Sequence, residues 1–239
     1  MPPAEDNPRG FWESSAVADF NDRMLTRENS NWHDWRVVST RALEEDTGLR
    51  AAAVDLLHQE FGDAPVIALK DPRICRLFPF WRRALIEAEY APVVISPFRA
   101  PSEVAASLVS RNTMGRSHAL RLWMRHILDA ERASRGLPRR FVMWPDFLSD
   151  WRRDFAEISR MCPTPLNLDA QASTEIDAFL SSDLYRQSDA SPVPAAVARA
   201  HDGLIQLSRH GDHPDLRKTM DDLRTAFNQA CALFEDAPR

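Results

Sequence analysis

Charged side chains follow three short apolar runs of this sequence, at the points where strands of a parallel sheet would end. Lys70 and Asp71 follow PVIAL (65–69), Arg99 follows PVVISPF (92–98), and Asp146 follows RFVMW (140–144). In an open parallel sheet, ligands bind beyond the carboxyl ends of the strands. We therefore expect these groups to converge on one edge of a sheet and to contact a ligand there.

The stretch VVISPFRAPSEVAASLVSR has the residues of an anion-binding corner. The guanidinium of Arg99 can hold a phosphate through two parallel N–H bonds. Ser102 is the expected N-cap of the following helix. Ser107 lies eight residues after Arg99, and Arg111 lies one helical turn beyond Ser107. These spacings favour a phosphate site, and the alternative is a surface corner with incidental polar residues.

Lys70 is unusual because the chain contains 28 arginines and only two lysines, the other being Lys218. Lysine offers a compact ammonium, whereas arginine offers a planar fork. A lysine at a strand end in such an arginine-rich chain favours a role that needs a point charge. A chance occurrence of lysine is the alternative.

Helical patterns separate the apolar runs and continue after them. The alternation of strands and helices predicts βαβ units, a parallel sheet and an α/β fold class with a helical C-terminal part. Helices are expected near residues 42–61, 74–89, 102–135, 146–161, 173–186, 194–209 and 214–235. The last of these has an amphipathic stripe, which predicts packing within the chain or, as the alternative, a homodimer through the C-terminal helix.

The charge distribution and composition indicate what kind of ligand the protein binds and where it is located. Between Lys70 and Arg140 there are fourteen basic and six acidic side chains, although the net charge of the chain is −5. A basic centre in an acidic protein favours a local anionic ligand over nucleic acid. The sequence has no apolar run long enough for a membrane span and no secretory signal. Three scattered cysteines suggest neither a disulfide framework nor a zinc site, so a cytoplasmic protein is expected.

Two histidine-containing segments have residues that could form other sites. RHGDH could bind a metal through His210, Asp212 and His213, but a solvated loop is the favoured interpretation. WHDW could place a base at His33 or Asp34, but a structural histidine is favoured there.

Several segments together resemble a bacterial sulfotransferase family that uses 3′-phosphoadenosine 5′-phosphosulfate as donor. The resemblance covers most of residues 6–186 and rests on an ordered set of motifs: DNPRGFWES, LKDPRICRLFPFW, FRAPSEVAASLVSR, RLWMRHILDAERASRG, RFVMWPDFLSDW and IDAFLSSDLYR. It implies a P-loop-like three-layer fold. It also implies sulfuryl transfer to a hydroxyl or amine group of a small-molecule or glycan acceptor, without a metal.

The resemblance and the placement of the charged residues together suggest roles for particular side chains. Arg99 and Ser107 would hold the 3′-phosphate of the donor, with Arg111 beside them. Lys70 would contact the sulfuryl group or the leaving phosphate, because cations aimed at developing charge stabilise such transition states. Glu13 would take the acceptor proton, and Asp71 would do so as second choice or would orient Lys70 or Arg73.

The chain departs from the family at one element. The seven glycines are scattered and form no loop to cradle the 5′-phosphosulfate at a helix N-terminus. We expect residues 1–186 to form an α/β domain that lacks this N-terminal strand and loop, and residues 187–239 to form a helical extension packed on it. Either the true start codon lies upstream, or the chain is a truncated relative. The alternative function is an inactive nucleotide-binding, structural or interaction protein.

Overall fold

The computed structural model of the protein describes residues 12–180 and 189–234. Two parallel strands, β1 (Val94–Phe98) and β2 (Arg139–Met143), are accompanied by helices along the chain. The helices are α1 (Ser15–Arg27), α2 (Arg41–Glu45), α3 (Thr47–Phe61), α4 (Ile74–Glu87), α5 (Pro101–Asn112), α6 (Arg116–Ala133), α7 (Trp144–Ser149), α8 (Trp151–Met161), α9 (Ala170–Phe179), α10 (Ala195–His210) and α11 (Pro214–Ala232).

The structure confirms an α/β fold with a short parallel sheet flanked by helices and a helical C-terminal part. Most predicted helices are present, and three of them are divided. The pattern over 42–61 breaks at Asp46, whose side chain caps α3 by accepting from the Leu49 N–H at 2.8 Å. The pattern over 102–135 breaks at Thr113, which adopts a left-handed backbone with φ of 50°. The third division, at Asp150, separates α7 from α8.

The prediction of a strand over residues 65–69 is wrong. This segment is irregular, and Val66 is 43% exposed. β-propensity is expressed only where a neighbouring strand supplies hydrogen bonds and packing, and within the described ranges the only ladder joins β1 to β2. The same reason explains why β1 alternates in burial, with Ile95 45% exposed.

Contacts divide the chain into two compact units. The first unit comprises residues 12–92, 125–135 and 224–234 of the described chain, and the second comprises 93–124, 136–180 and 189–223. The predicted boundary between residues 186 and 187 falls outside the described residues. That division of the chain into a domain and an extension therefore stays a prediction.

The first unit has a helical core. α3 packs on both α1 and α4, and α2 packs against α3 and α4. Phe20, Phe80 and Trp81 form an aromatic cluster with ring centroids 5.7 to 6.1 Å apart. Because these rings are almost fully buried, they hold α1 firmly against α4.

The second unit is built on the sheet. β1 and β2 run parallel, with Val94 opposite Arg139 and Phe98 opposite Met143. α10 packs on β2 and on α5, while α7 and α8 also contact β2. Gly203 permits a close approach in α10, since a Cβ there would lie 2.7 Å from the Met220 sulfur.

Part of the apolar stripe of the last helix is buried within the chain. Met220, Leu223 and Cys231 are 1%, 5% and 3% exposed. This burial agrees with intramolecular packing, and a homodimer stays a prediction. None of the helices in the described part of the chain combines the length and the apolar character that crossing a bilayer requires.

Candidate functional site

The first unit brings together Glu13 and Lys70, which are 57 residues apart in sequence. The Lys70 ammonium donates to the Glu13 carboxylate in a direct ion pair. Glu13 lies just before α1, whose N-cap Ser14 accepts from the Val17 N–H at 3.1 Å. The Glu13 side chain is 6% exposed and that of Lys70 is 57% exposed. Lys70 is therefore reachable by a ligand, while its carboxylate partner is buried beneath it.

Asp71 lies beside this pair but faces the protein interior. Its side chain is fully buried and accepts from the Arg73 backbone N–H at 2.8 Å and from the Arg73 guanidinium at 2.7 Å. Burial raises the pKa of Asp71, the hydrogen bonds and charge of Arg73 oppose that rise, and the nearby charge of Glu13 adds to it. This geometry favours the second role expected for Asp71, which is to orient Arg73.

Arg73 links the cluster to α1. Its guanidinium donates to Asp22 at 2.6 and 3.1 Å as well as to Asp71. Asn21, the neighbour of Asp22, is fixed by the Trp81 indole N–H at 2.7 Å. We call Glu13, Asp22, Lys70, Asp71 and Arg73 the carboxylate cluster. It holds three carboxylates and two cations. The cluster therefore contains carboxylates that could act as a base and an accessible ammonium, but its charges do not sum to a strongly positive site.

Sequence reasoning missed α1 and therefore missed Asp22. The signal for the helix was present, because Ser14 precedes a stretch with apolar side chains at Val17, Phe20 and Met24. No local pattern links Asp22 to Arg73, which lies 51 residues away.

The second unit forms the corner that the sequence predicted after the second apolar run. β1 ends at Phe98, Arg99 and Ala100 form the turn, and α5 begins at Pro101. Ala100 is the N-cap, so the prediction that Ser102 caps this helix is wrong; proline at the first helical position moves the N-cap two residues earlier. The Ser102 hydroxyl instead donates to the Asp189 carbonyl.

Glu103, Ser107 and Arg111 lie along one face of α5 because they are spaced by four residues. The Arg99 Nε atom lies 3.4 Å from a Glu103 carboxylate oxygen, and the two side chains are 24% and 7% exposed. Ser107 is half-buried and Arg111 is exposed. We call Arg99, Glu103, Ser107 and Arg111 the helix corner. Of its predicted members, Ser107 and Arg111 share a face of α5 and Arg99 lies in the turn before it; Glu103 is a partner that sequence reasoning did not assign.

The expected convergence at the sheet edge is found in part. Since β1 and β2 are parallel and Phe98 pairs with Met143, Arg99 and Asp146 both follow the same edge of the sheet. The strand expected to bring Lys70 and Asp71 to that edge is not formed in the described chain. These two residues belong to the first unit.

His201 on α10 is a further group near the helix corner. Its ring centroid lies 6.0 Å from that of Phe98 and 6.2 Å from that of Trp123. Burial lowers the pKa of His201, and the charges of Asp202 and Glu103 partly oppose this effect. A single histidine in an amphipathic helix gives no sequence signal, so only tertiary packing reveals its surroundings.

In the segments RHGDH and WHDW, which the sequence offered as other sites, the acidic side chains make contacts within the protein. Asp212 accepts from Arg217 at 2.6 and 2.7 Å and from Arg139 at 2.9 Å, beside a cavity of about 240 Å³ near the amino end of β2. The described residues include no metal-binding cluster of histidine, cysteine and carboxylate groups. Burial tends to raise the pKa of Asp34, but its hydrogen bonds with Arg36 and Ser30 outweigh burial and lower it.

Comparisons of this chain with protein-family models, curated proteins and solved structures found no match. What the fold and the two clusters define is an α/β protein with an exposed, carboxylate-paired lysine in one unit and an arginine-bearing helix corner in the other.

Proposed function

We propose that this protein binds 3′-phosphoadenosine 5′-phosphosulfate and transfers its sulfuryl group to a hydroxyl or amine acceptor. The observation that carries the proposal is the helix corner, where β1 runs directly into α5 and the Arg99 side chain lies at the turn. Strand-to-helix turns of this kind direct backbone N–H groups and a positive helix end toward a bound anion.

The helix corner has the donors that a phosphate monoester needs. Within the described residues no side chain caps α5, so its first N–H groups have no acceptor from an N-cap side chain. Arg99 supplies a guanidinium, and Ser107 and Arg111 supply a hydroxyl and a second cation along the same face. Charge-assisted bonds to phosphate are about twice as strong as neutral ones. The corner therefore suits the 3′-phosphate of the donor.

The carboxylate cluster has groups suited to the transfer step. In that step the bond between the sulfur and the 5′-phosphate oxygen breaks, a bond forms from sulfur to the acceptor oxygen or nitrogen, and the acceptor loses a proton. We assign the Lys70 ammonium to the charge on the transferring and leaving oxygens. We assign Glu13 to the acceptor proton, and Asp71 to the positioning of Arg73.

The charge balance of the carboxylate cluster supports a second candidate function. The cluster holds three carboxylates and two cations, Lys70 included, and this balance attracts a phosphosulfate less than a cationic site would. The second candidate is a protein that binds the bisphosphate nucleotide without transferring a sulfuryl group. Binding without turnover would favour this candidate over the enzyme.

The test of the binding proposal uses the desulfonated donor, adenosine 3′,5′-bisphosphate. We expect it to raise the thermal unfolding midpoint of the protein. At a concentration about 100-fold above the dissociation constant, the stabilisation should be roughly 2.7 kcal/mol. Arg99→Ala should remove this stabilisation, and Ser107→Ala should reduce it.

The matched control is Arg160→Ala, which removes an exposed arginine from the last turn of α8 in the same unit. It should keep the full response to the nucleotide. An Arg99→Ala protein that is stabilised as strongly as the unmodified protein would exclude the helix corner as the phosphate site. Transfer is tested with radiolabelled donor and a panel of hydroxyl and amine acceptors.

A further inference from the structure

The helix corner contains its own negative charge, which a bound phosphate must compete with. Glu103 lies one turn into α5 and pairs with Arg99 at 3.4 Å. The Glu103 side chain is 7% exposed, so water screens this carboxylate weakly. An anion that binds Arg99 must therefore share the guanidinium with Glu103 or displace it.

His201 is the group placed to change that competition. Its Nε2 atom is buried and makes no hydrogen bond in the described part of the chain. The groups that face His201 come from four elements: Asp202 on its own helix, Glu103 on α5, and the uncharged rings of Phe98 on β1 and Trp123 on α6. Of these, Glu103 is the carboxylate that also holds Arg99.

We propose that protonation of His201 attracts the Glu103 carboxylate toward the imidazolium. This weakens the pairing of Glu103 with Arg99 and makes Arg99 available to an anion at the helix corner. Glu103 is then a positioning residue: it holds Arg99 when His201 is neutral and gives way when His201 is charged. This inference rests on the proposed phosphate-binding role of Arg99, and it adds a control of that role by pH.

The direction of the effect follows from the charges. Because burial lowers the pKa of His201 from its ordinary value of 6.5, the imidazole is neutral at pH 7 and gains its proton in more acidic solution. Each added proton places a positive charge beside the corner and weakens the hold of Glu103 on Arg99. The fraction of molecules competent to bind an anion rises, and the apparent dissociation constant falls in proportion.

The ligand also responds to pH, in the opposite direction, and the experiment must separate that response from the effect of His201. A phosphate monoester takes up its own proton near pH 6, which weakens its binding to arginine in acid. Replacing His201 with asparagine removes the imidazole and leaves the ligand unchanged. The ratio of the two proteins' affinities therefore isolates the contribution of His201.

The binding experiment measures the affinity for adenosine 3′,5′-bisphosphate by calorimetry between about pH 7.5 and about pH 4.5, a range that extends below the ordinary titration of histidine because burial lowers the pKa of His201. We expect the ratio of unmodified to His201→Asn affinity to rise about three- to tenfold across this range. Glu103→Gln should bind more tightly at the upper pH, and its response to pH should match that of His201→Asn. A ratio that stays flat while both proteins bind the nucleotide would overturn the inference.

A second experiment needs no nucleotide. NMR of the unmodified protein follows the His201 ring and the Arg99 Nε–H through an acid titration. We expect both signals to change together, and Glu103→Gln should lower the His201 pKa because it removes a favourable negative charge. An Arg99 Nε–H signal that does not shift while His201 titrates would overturn the coupling. If the two signals move together but no nucleotide binds at any pH, the proposed function fails and the coupling stands.

Discussion

The carboxylate cluster and the helix corner hold their charged side chains in different ways. In the first unit, Glu13 pairs with Lys70 and Asp22 pairs with Arg73, across 57 and 51 residues of sequence. In the second unit, Arg99 pairs with Glu103 only four residues away. The first arrangement depends on the packing of α1 beside the segment before α4. The second depends on the turn that follows β1 and on the first turn of α5.

This difference affects how each region should respond to substitution. Long-range ion pairs form only in the folded chain, so their geometry depends on the core beneath them. A pair spaced by four residues is set by helix geometry and changes little when distant packing changes. Variants of the buried charged side chains of the first unit should therefore lose stability, whereas variants of the helix corner should lose binding with little loss of stability.

The largest effect is expected in the buried ionic core of the first unit. The Arg76 side chain is completely buried; it donates to the Asp34 and Arg36 carbonyls and lies 3.5 Å from Asp129. Arg76→Met should lower the free energy of unfolding by about 3–5 kcal/mol, because it leaves two buried carbonyls without their donor and removes one of the arginines around Asp129. Urea denaturation measures the loss.

Arg83 on the same helix is the matched control, since its side chain is 57% exposed and its contact with Glu44 is 3.4 Å long. Arg83→Met should change the free energy of unfolding by less than about 1 kcal/mol. Equal losses in the free energy of unfolding for the two variants would contradict the expected difference between buried and exposed charged side chains.

The next effect concerns Lys70 and separates function from stability. If the protein transfers a sulfuryl group, Lys70→Ala should reduce turnover by about 100-fold or more, while nucleotide affinity changes only a few-fold. Stability should change little because the Lys70 side chain is 57% exposed. Lys70→Arg should restore activity only in part, since a planar fork does not replace a point charge. Complete restoration by arginine would refute the argument from the scarcity of lysine.

The smallest effect is a pH dependence at Asp71. A raised pKa in the folded state means that the folded chain keeps this proton to a higher pH than the unfolded chain does. The associated stabilisation is complete below the ordinary pKa of 3.8 and is lost as pH rises through the folded-state pKa. The free energy of unfolding of the unmodified protein, relative to Asp71→Asn, should therefore fall as pH rises from the ordinary pKa of 3.8 through the raised folded-state pKa.

Asp177 provides a control of opposite sign in the second unit. Hydrogen bonds from Arg152 and Trp151 lower its pKa, so Asp177 stabilises the fold above pH 3.8 and loses that effect as pH falls. Relative to Asp177→Asn, the unmodified protein should become less stable in acid. A common sign for the two comparisons would contradict the buried, desolvated state of Asp71.

The sequence alone determined the parts that depend on local order. Hydrophobic periodicity predicted the helices from α3 onward, and the runs before Arg99 and Asp146 predicted the two strands that pair in parallel. Arg99, Ser107 and Arg111 could be placed on one corner because their spacing is that of a turn followed by a helix. Local spacing determines which residues share a helix face, so no tertiary information was needed.

Only the tertiary structure decided the remaining features. Whether PVIAL became a strand depended on a neighbouring strand, and the apolar run could not report that partner. The contact between Glu13 and Lys70 and the placing of His201 beside Glu103 depend on how helices pack. The pKa of Asp71 likewise depends on burial by residues distant in sequence. Desolvation and charge pairing act through space, so these properties follow from three-dimensional proximity and not from any motif.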